Sequence, residues 1–281
     1  MKKILTLLTA FVLAFTLVGC SGAKDKKGID AEKLDKNNPV TLKIGASNVP
    51  HAEILEHIAP KLLEEGIKLD IVTYQDYYLP NKTLSDKEID ANYFQHIPFL
   101  NVETKEKGYD LENAGAIHLE PLGLYSTKVK NLNDLRDGGL VLISNNKAEW
   151  GRVIKLLVDA NLVKVKDGVD IINATFDDIV ENKKNLVFKY DNDPSIMTQY
   201  YKNGEGDLVS INSNFAVDAG INPKDDAIIF EKPENNPYAN LIVVRKGDKD
   251  KLVIKKLIEA LKSDDTKNFI DSKYKGSVVA V

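Results

Sequence analysis

The chain has 281 residues, 28% of them charged, with 38 basic against 42 acidic side chains and a single cysteine. A net charge of −4 with only three arginines, Arg136, Arg152 and Arg245, provides no clustered basic face for nucleic acid. One cysteine can form no internal disulfide, so the fold must rest on its apolar cores, and the length suffices for two of them.

The N-terminus reads Met1-Lys2-Lys3, an apolar run from Ile4 to Val18, then Gly19-Cys20. A basic start, an apolar centre and a small residue before a cleavage point predict a secretory signal over residues 1–19, not a spanning helix. Leu17-Val18-Gly19-Cys20 resembles the signal of bacterial lipoproteins, which implies cleavage before Cys20 and lipid on its sulfur. Lipidation also accounts for the lone thiol. Each buried CH₂ of an acyl chain adds about 0.8 kcal/mol, so two or more chains anchor firmly. The expected location is the extracytoplasmic face of a cell membrane. Residues 20–39 are polar, charged and without hydrophobic period, and predict a flexible lipid-anchored linker.

Thr41 to Ser47 alternates as a first strand, and Ile54, Leu55, Ile58, Leu62 and Leu63 recur at helical spacing from Ala52 to Glu65, where Gly66 stops the run. Leu69 to Tyr74 predicts a second strand, and Tyr77-Tyr78-Leu79-Pro80-Asn81 leads into a short helix ending near Asp86. Ile89 to Tyr93 predicts a third strand, and Pro98 suits the first turn of the next helix. Strand–helix alternation at this spacing implies a parallel sheet with crossover helices.

Gly115 to Tyr125, broken by Pro121 and Gly123, reads as a first crossing between lobes. The alternation then resumes: strand Leu140 to Ser144, helix Glu149 to Ala160, strand Leu186 to Tyr190, helix Pro194 to Tyr201, strand Leu208 to Asn212, helix Ser213 to Ala219. Gly204-Glu205-Gly206-Asp207 is a turn and not a dinucleotide loop. Strands Ala227 to Phe230 and Ala239 to Arg245 flank Pro233 and Pro237 as the return crossing, and Lys249 to Ser263 is an amphipathic helix that packs back on the first lobe. The predicted class is α/β, a two-lobed clamshell with two extended hinge crossings: residues 40–124 with 242–281 as lobe 1, residues 125–241 as lobe 2. Such hinged folds close on small ligands.

No Gly-x-Ser-x-Gly elbow and no free mature thiol support covalent catalysis, so neither an enzyme nor a cofactor is expected. The four histidines form no His-x-x-x-His pair; a metal site would need three of them gathered by the fold, a weaker alternative. Amino-acid recognition fits better. A carboxylate calls for arginine's bidentate fork, and Arg152 follows Glu149-Trp150-Gly151 in the first turn of a predicted helix, where the dipole also favours an anion. Asn212 and Asn240, at strand edges, are candidate acceptors for an ammonium. Tyr77, Phe94 and Phe99 offer an aromatic surface on which a thioether packs well. The segment Asp90-Ala91-Asn92-Tyr93-Phe94-Gln95-His96-Ile97-Pro98-Phe99-Leu100 delivers several of these tips to the carboxyl edge of a sheet, where open α/β folds bind ligands.

Six ordered blocks resemble the NlpA-type methionine-binding lipoproteins: Gly45 to Leu55, Asp76 to Asn81, Asp90 to His96, Glu120 to Ser126, Val180 to Leu186, and Pro237 to Asn240. The resemblance implies a periplasmic-binding-protein fold that captures methionine and delivers it to the permease and ATPase of an ABC importer. It also implies an aromatic box and histidine around the thioether at Tyr77, Phe94, His96 and Phe99 (the last usually tyrosine), with Arg152, Asn212 and Asn240 as polar contacts. Two blocks depart from the family pattern. Ser144-Asn145-Asn146-Lys147-Ala148-Glu149 stands where Pro-Asn-Asp-Pro-Thr-Asn is usual, and Asp193-Pro194-Ser195-Ile196-Met197 where Gln-Leu-Pro-Arg is usual. Both fall in the lobe expected to supply the polar contacts, which keeps a methionine-containing dipeptide or another small amino acid as the alternative ligand.

Overall fold

The computed structural model describes residues 28–281; the predicted signal, Cys20 and the first part of the linker lie outside the described residues. The first lobe begins with β1 (Val40–Ser47), α1 (Glu53–Glu64), β2 (Ile67–Tyr74), α2 (Leu79–Ser85), β3 (Ala91–His96) and α3 (Ile97–Lys107). Alternate residues of β1, Leu42, Ile44 and Ala46, are fully buried against Ile54, Leu55, Ile58 and Leu62 of α1. Gly66, at φ +87°, ends that helix turn in a conformation other residues resist. Pro98 sits in the first turn of α3, as its missing N–H predicts, and Nδ1 of His96 accepts from the Phe99 N–H at 3.2 Å to cap it.

All six residues of β3 are buried, polar ones included. Asn92 and Gln95 satisfy one another through Asn81 of α2: Asn92 donates to Asn81 Oδ1 at 2.9 Å, Gln95 to the same oxygen at 2.6 Å, and Asn81 back to Gln95 Oε1 at 3.0 Å. A buried amide without such partners would cost about 1–3 kcal/mol, so this triad fixes α2, and Tyr77 just before it, on the strand.

The chain leaves the lobe through β4 (Leu111–Leu119) and enters the second through β5 (Gly123–Tyr125). There follow β6 (Leu140–Ser144), α4 (Lys147–Asp159), β7 (Val163–Val165), β8 (Ile179–Asn182), β9 (Val187–Asn192), α5 (Met197–Lys202), β10 (Leu208–Ile211), α6 (Ser213–Asp218), α7 (Pro223–Asp226) and β11 (Ile229–Phe230). The chain returns through β12 (Ala239–Arg245) and finishes with α8 (Leu252–Leu261), α9 (Asp264–Tyr274) and β13 (Val279–Ala280). The two large sheets have the orders β13-β4-β12-β3-β1-β2 and β11-β5-β10-β6-β9, and β7 pairs with β8 in a small two-stranded sheet. Each large sheet has its own core: Leu42, Ile44, Ile54 and Ile254 in one, Leu124, Val141, Ile143 and Val153 in the other.

Neither sheet is purely parallel, which corrects the reading from strand–helix alternation. β1 runs parallel to β2 and β3, but β12 is antiparallel to both β3 and β4, and β5 is antiparallel to β10 and β11. A strand that carries the chain out and a neighbour that brings it back over the same edge must run in opposite directions.

The linker is shorter than predicted. Gly28–Asp30 forms a 3-10 turn, and Ile29 and Ala31 are 6% and 5% exposed in the core of the first lobe, with Leu34 packed beside them. Asp30 pairs with Lys251 at 2.5 Å, and the backbone of Asp35 passes so close to Gly66 that a Cβ there would meet it at 2.6 Å. Three apolar residues among charged ones show no period, so the sequence conceals this docking. The last helix, α9, is missed for a similar reason, since it buries only Thr266, Ile270 and Tyr274. Among the described residues no helix is long and apolar enough to cross a membrane.

Candidate ligand-binding site

Between the two large sheets lies a narrow cavity lined by Tyr77, Phe94, His96, Phe99, Arg152, Asn212 and Asn240 among others. Residues 75 positions apart in sequence, Tyr77 and Arg152, thus meet at one site. The apolar wall comes from the first lobe. Phe94 leaves the end of β3, Phe99 the first turn of α3, and their rings meet edge to face at 5.7 Å, with Tyr77 6.1 Å from each. Ala148, on α4, closes this cluster from the other side.

The polar wall comes mainly from the second lobe. Asn146 caps α4, accepting from the Ala148 N–H at 3.2 Å, so the helix starts earlier than its sequence suggests. Arg152 is therefore in the second turn and not the first, beyond the free N–H groups that would share an anion with it. What holds Arg152 is carboxylate. Nη1 donates to Glu149 Oε2 at 2.9 Å, Nε and Nη2 to the two oxygens of Glu231 at 3.0 and 2.5 Å, and Nη2 also to the Glu120 carbonyl at 2.8 Å. Its guanidinium lies 4.5 Å from the centre of the Tyr238 ring. Burial opposes its charge, but Glu231 and Glu149 outweigh it and raise the pKa further. Burial likewise works against ionised Glu149, yet Arg152 and His96 hold its carboxyl at about 2.

Several bonds cross from lobe to lobe. His96 Nε2 reaches Glu149 Oε1 at 2.7 Å, Tyr77 donates to Asn214 Oδ1 at 2.6 Å, and Asn48 donates to Asp218 Oδ1 at 2.7 Å. Burial raises the Tyr77 phenol well above its ordinary range, keeping it a neutral donor. The clamshell is closed.

At the hinge, His51 and His118 gather on Glu120. Their Nε2 atoms lie 3.1 and 2.8 Å from Glu120 Oε1, His51 Nε2 is also 3.0 Å from Asn240 Oδ1, and His118 Nδ1 bonds the Tyr93 hydroxyl. Burial pushes His51 down to about 4 and His118 to about 3, and pushes Glu120 up. One donor atom from each of the three lies within 4.8 Å of the others. The remaining histidines are elsewhere: His57 pairs with Asp265 at 2.8 Å and stacks on Phe269, and His96 serves Glu149. A three-histidine set is not gathered among the described residues.

These features can be set against known proteins. Residues 42–281 match the family model described as NlpA lipoprotein. The chain belongs to that family. This NlpA lipoprotein is 44% identical to the methionine-binding lipoprotein MetQ of Bacillus subtilis over 282 residues, covering 100% of this chain and 99% of the relative. A nutrient binding protein from Burkholderia cenocepacia, solved bound to methionine, superposes with a TM-score of 0.80 at 36% identity, covering 85% of this chain and 99% of that one. The periplasmic substrate-binding protein of an ABC transporter from Coxiella burnetii does so at 0.80 and 32%, covering 85% and 100%. The α/β clamshell of two mixed sheets is therefore that of the periplasmic substrate-binding proteins.

Sequence reasoning missed Gln95, Glu120, Asn146, Glu149, Ser213 and Asn214, which also line the cavity. Glu120 carried a signal, a carboxylate set between Leu119 and Pro121-Leu122 in an otherwise apolar crossing. Glu149 carried another, as the residue that departs from the family's asparagine.

Proposed function

We propose that this lipoprotein captures methionine outside the cytoplasm and hands it to the permease and ATPase of an ABC importer. The carrying observation is one interlobe cavity that joins an aromatic box to a buried arginine, in a chain related over its full length to a methionine-binding lipoprotein. In this reading Tyr77, Phe94, His96 and Phe99 surround the thioether, Arg152 takes the carboxylate, and Asn212 and Asn240 accept from the ammonium. In this reading the lobes follow the two large sheets, so the crossings fall between β4 and β5 and between β11 and β12, a few residues before the bounds at 124/125 and 241/242 read from the sequence. Cys20 carries the lipid and holds the protein on the extracytoplasmic face of a cell membrane. Ligand that bridges both lobes binds the closed form better, so closure is a population shift.

A second reading is favoured by the Glu149–Arg152 pair. With four of its N–H bonds already made, Arg152 is less free to clasp a carboxylate beside the ammonium, and a methionine-containing dipeptide places that carboxylate further away. Native mass spectrometry of protein purified without added ligand tests both. A mass excess of methionine supports the first, an excess of a dipeptide the second. Bare protein whose melting temperature responds to neither overturns both.

A further inference from the structure

We infer that the Glu120 carboxylate is the counter-ion of the ligand's ammonium group, and that His118 is the positioning residue that aims it. This rests on the proposed capture of a ligand bearing an amine in the interlobe cavity.

Glu120 lines that cavity and is 7% exposed. It sits just after β4, where the chain crosses between lobes, so a partner bound to it bears on the hinge. Among the described residues no lysine or arginine side chain lies within ion-pair distance of its carboxylate. Arg152 donates to the Glu120 backbone carbonyl and spends its charge on Glu149 and Glu231. The charged and titratable groups that face Glu120 are His51, Arg152, His96, His118, Tyr77, Tyr93 and Tyr274.

The two histidines serve as neutral donors. His118 Nε2 hydrogen-bonds Oε1 at 2.8 Å, while His51 Nε2, 3.1 Å from the same oxygen, gives its hydrogen bond to Asn240 Oδ1, and the Asn214 backbone N–H also serves the carboxylate. His51 Nδ1 is buried with no partner among the described residues, as an unprotonated ring nitrogen would be. Ring packing holds the donors still: His51 meets Tyr93 edge-on at 4.7 Å and His118 at 4.9 Å. A buried carboxylate held only by neutral donors lacks its compensating charge, and an ammonium entering the cavity supplies it. Asn240 is less suited to do so alone, because its Oδ1 already receives His51.

The test compares methionine with its deaminated analogue, 4-(methylsulfanyl)butanoate, by calorimetry on the intact protein. Wild type should prefer methionine by roughly a hundredfold, the range of a hydrogen bond to a charged group. Glu120→Gln should reduce that preference at least about tenfold, and His118→Gln, which keeps an amide donor for the carboxylate, should retain most of it. The same preference in Glu120→Gln overturns the inference, as does a loss that falls equally on both ligands, the mark of a merely structural role. Should Glu120→Gln not fold, the wild type alone decides. Equal affinity of the wild type for methionine and the analogue overturns the inference. Binding of neither molecule by the wild type overturns the proposed function and this inference together. Binding of methionine with an unchanged ratio overturns the inference alone.

Discussion

His96 Nε2, at the end of β3, lies 2.7 Å from Oε1 of Glu149 on α4, across the cleft between the lobes. Because His96 Nδ1 accepts from the Phe99 N–H, Nε2 is the nitrogen that carries the proton, and it donates to the carboxylate. One residue thereby caps a helix of the first lobe and fastens it to the second. The other oxygen of Glu149 holds Arg152, so the carboxylate is shared between the latch and the cation.

That sharing makes Glu149 a determinant of which ligand is held. Glu149→Asn, which restores the family's usual residue, should shift preference from a methionine-containing dipeptide toward free methionine by about tenfold, the value of one charge-assisted bond to Arg152. The ratio of the two dissociation constants by calorimetry reads it directly. An unchanged ratio counts against the dipeptide reading.

Arg152→Ala should weaken methionine binding at least about a hundredfold. It should also lower stability by roughly 3–5 kcal/mol, because Glu149 and Glu231 lose the charge that compensates their burial. Calorimetry gives the first and urea unfolding the second. Full affinity in a folded variant would remove Arg152 from the site.

Gly151→Ala tests how the arginine is placed. A Cβ at Gly151 would meet the carbonyl oxygens of Ile171 and Ile172 at 2.4 and 2.5 Å, because α4 passes directly over that loop. Alanine improves helix propensity by about 1 kcal/mol, but the clash with backbone should cost about 1–3 kcal/mol or more. The expected outcome is a net loss in urea unfolding, with weaker ligand binding as α4 shifts.

Acid should weaken the fold through the hinge histidines. In the native state His51 takes a proton only near pH 4 and His118 near pH 3, against the ordinary value of 6.5. The unfolded chain therefore binds more protons as pH falls from about 6.5, and stability falls with it down to those values. Glu120, shifted upward, works in the opposite sense and offsets part of the loss. A melting-temperature profile over this range should slope downward toward acid, and His118→Gln, which cannot take up that proton, should flatten it.

The residues that point into the cavity were more legible than those that hold them there. Phe94, His96 and Phe99 lie within one short segment, and strand-then-proline grammar places their tips at a sheet edge. Arg152 stood out because the chain is otherwise rich in lysine. Glu149 stands one helical turn before Arg152, but the Glu120 carbonyl and the Glu231 carboxylate are brought to it by two separate crossings of the hinge, which the sequence order does not show. Element type was legible wherever the apolar period ran long, as in α1 and α8. Strand direction was not, because alternation along the chain does not record that β4 and β12 lie side by side.

The docking of Ile29 and Ala31 into the first lobe sets the length of the leash. In the proposed reading, with lipid on Cys20 and the turn Gly28–Asp30 held by the domain through Ile29, residues 21–27 are what separates the two in sequence. Fully stretched, seven residues reach about 25 Å. In that reading the first lobe is confined to a shallow zone above the lipid surface, and the second, latched to it through His96 and Glu149, is carried with it. If the proposed anchor and importer hold, a diffusing particle becomes one that searches a plane.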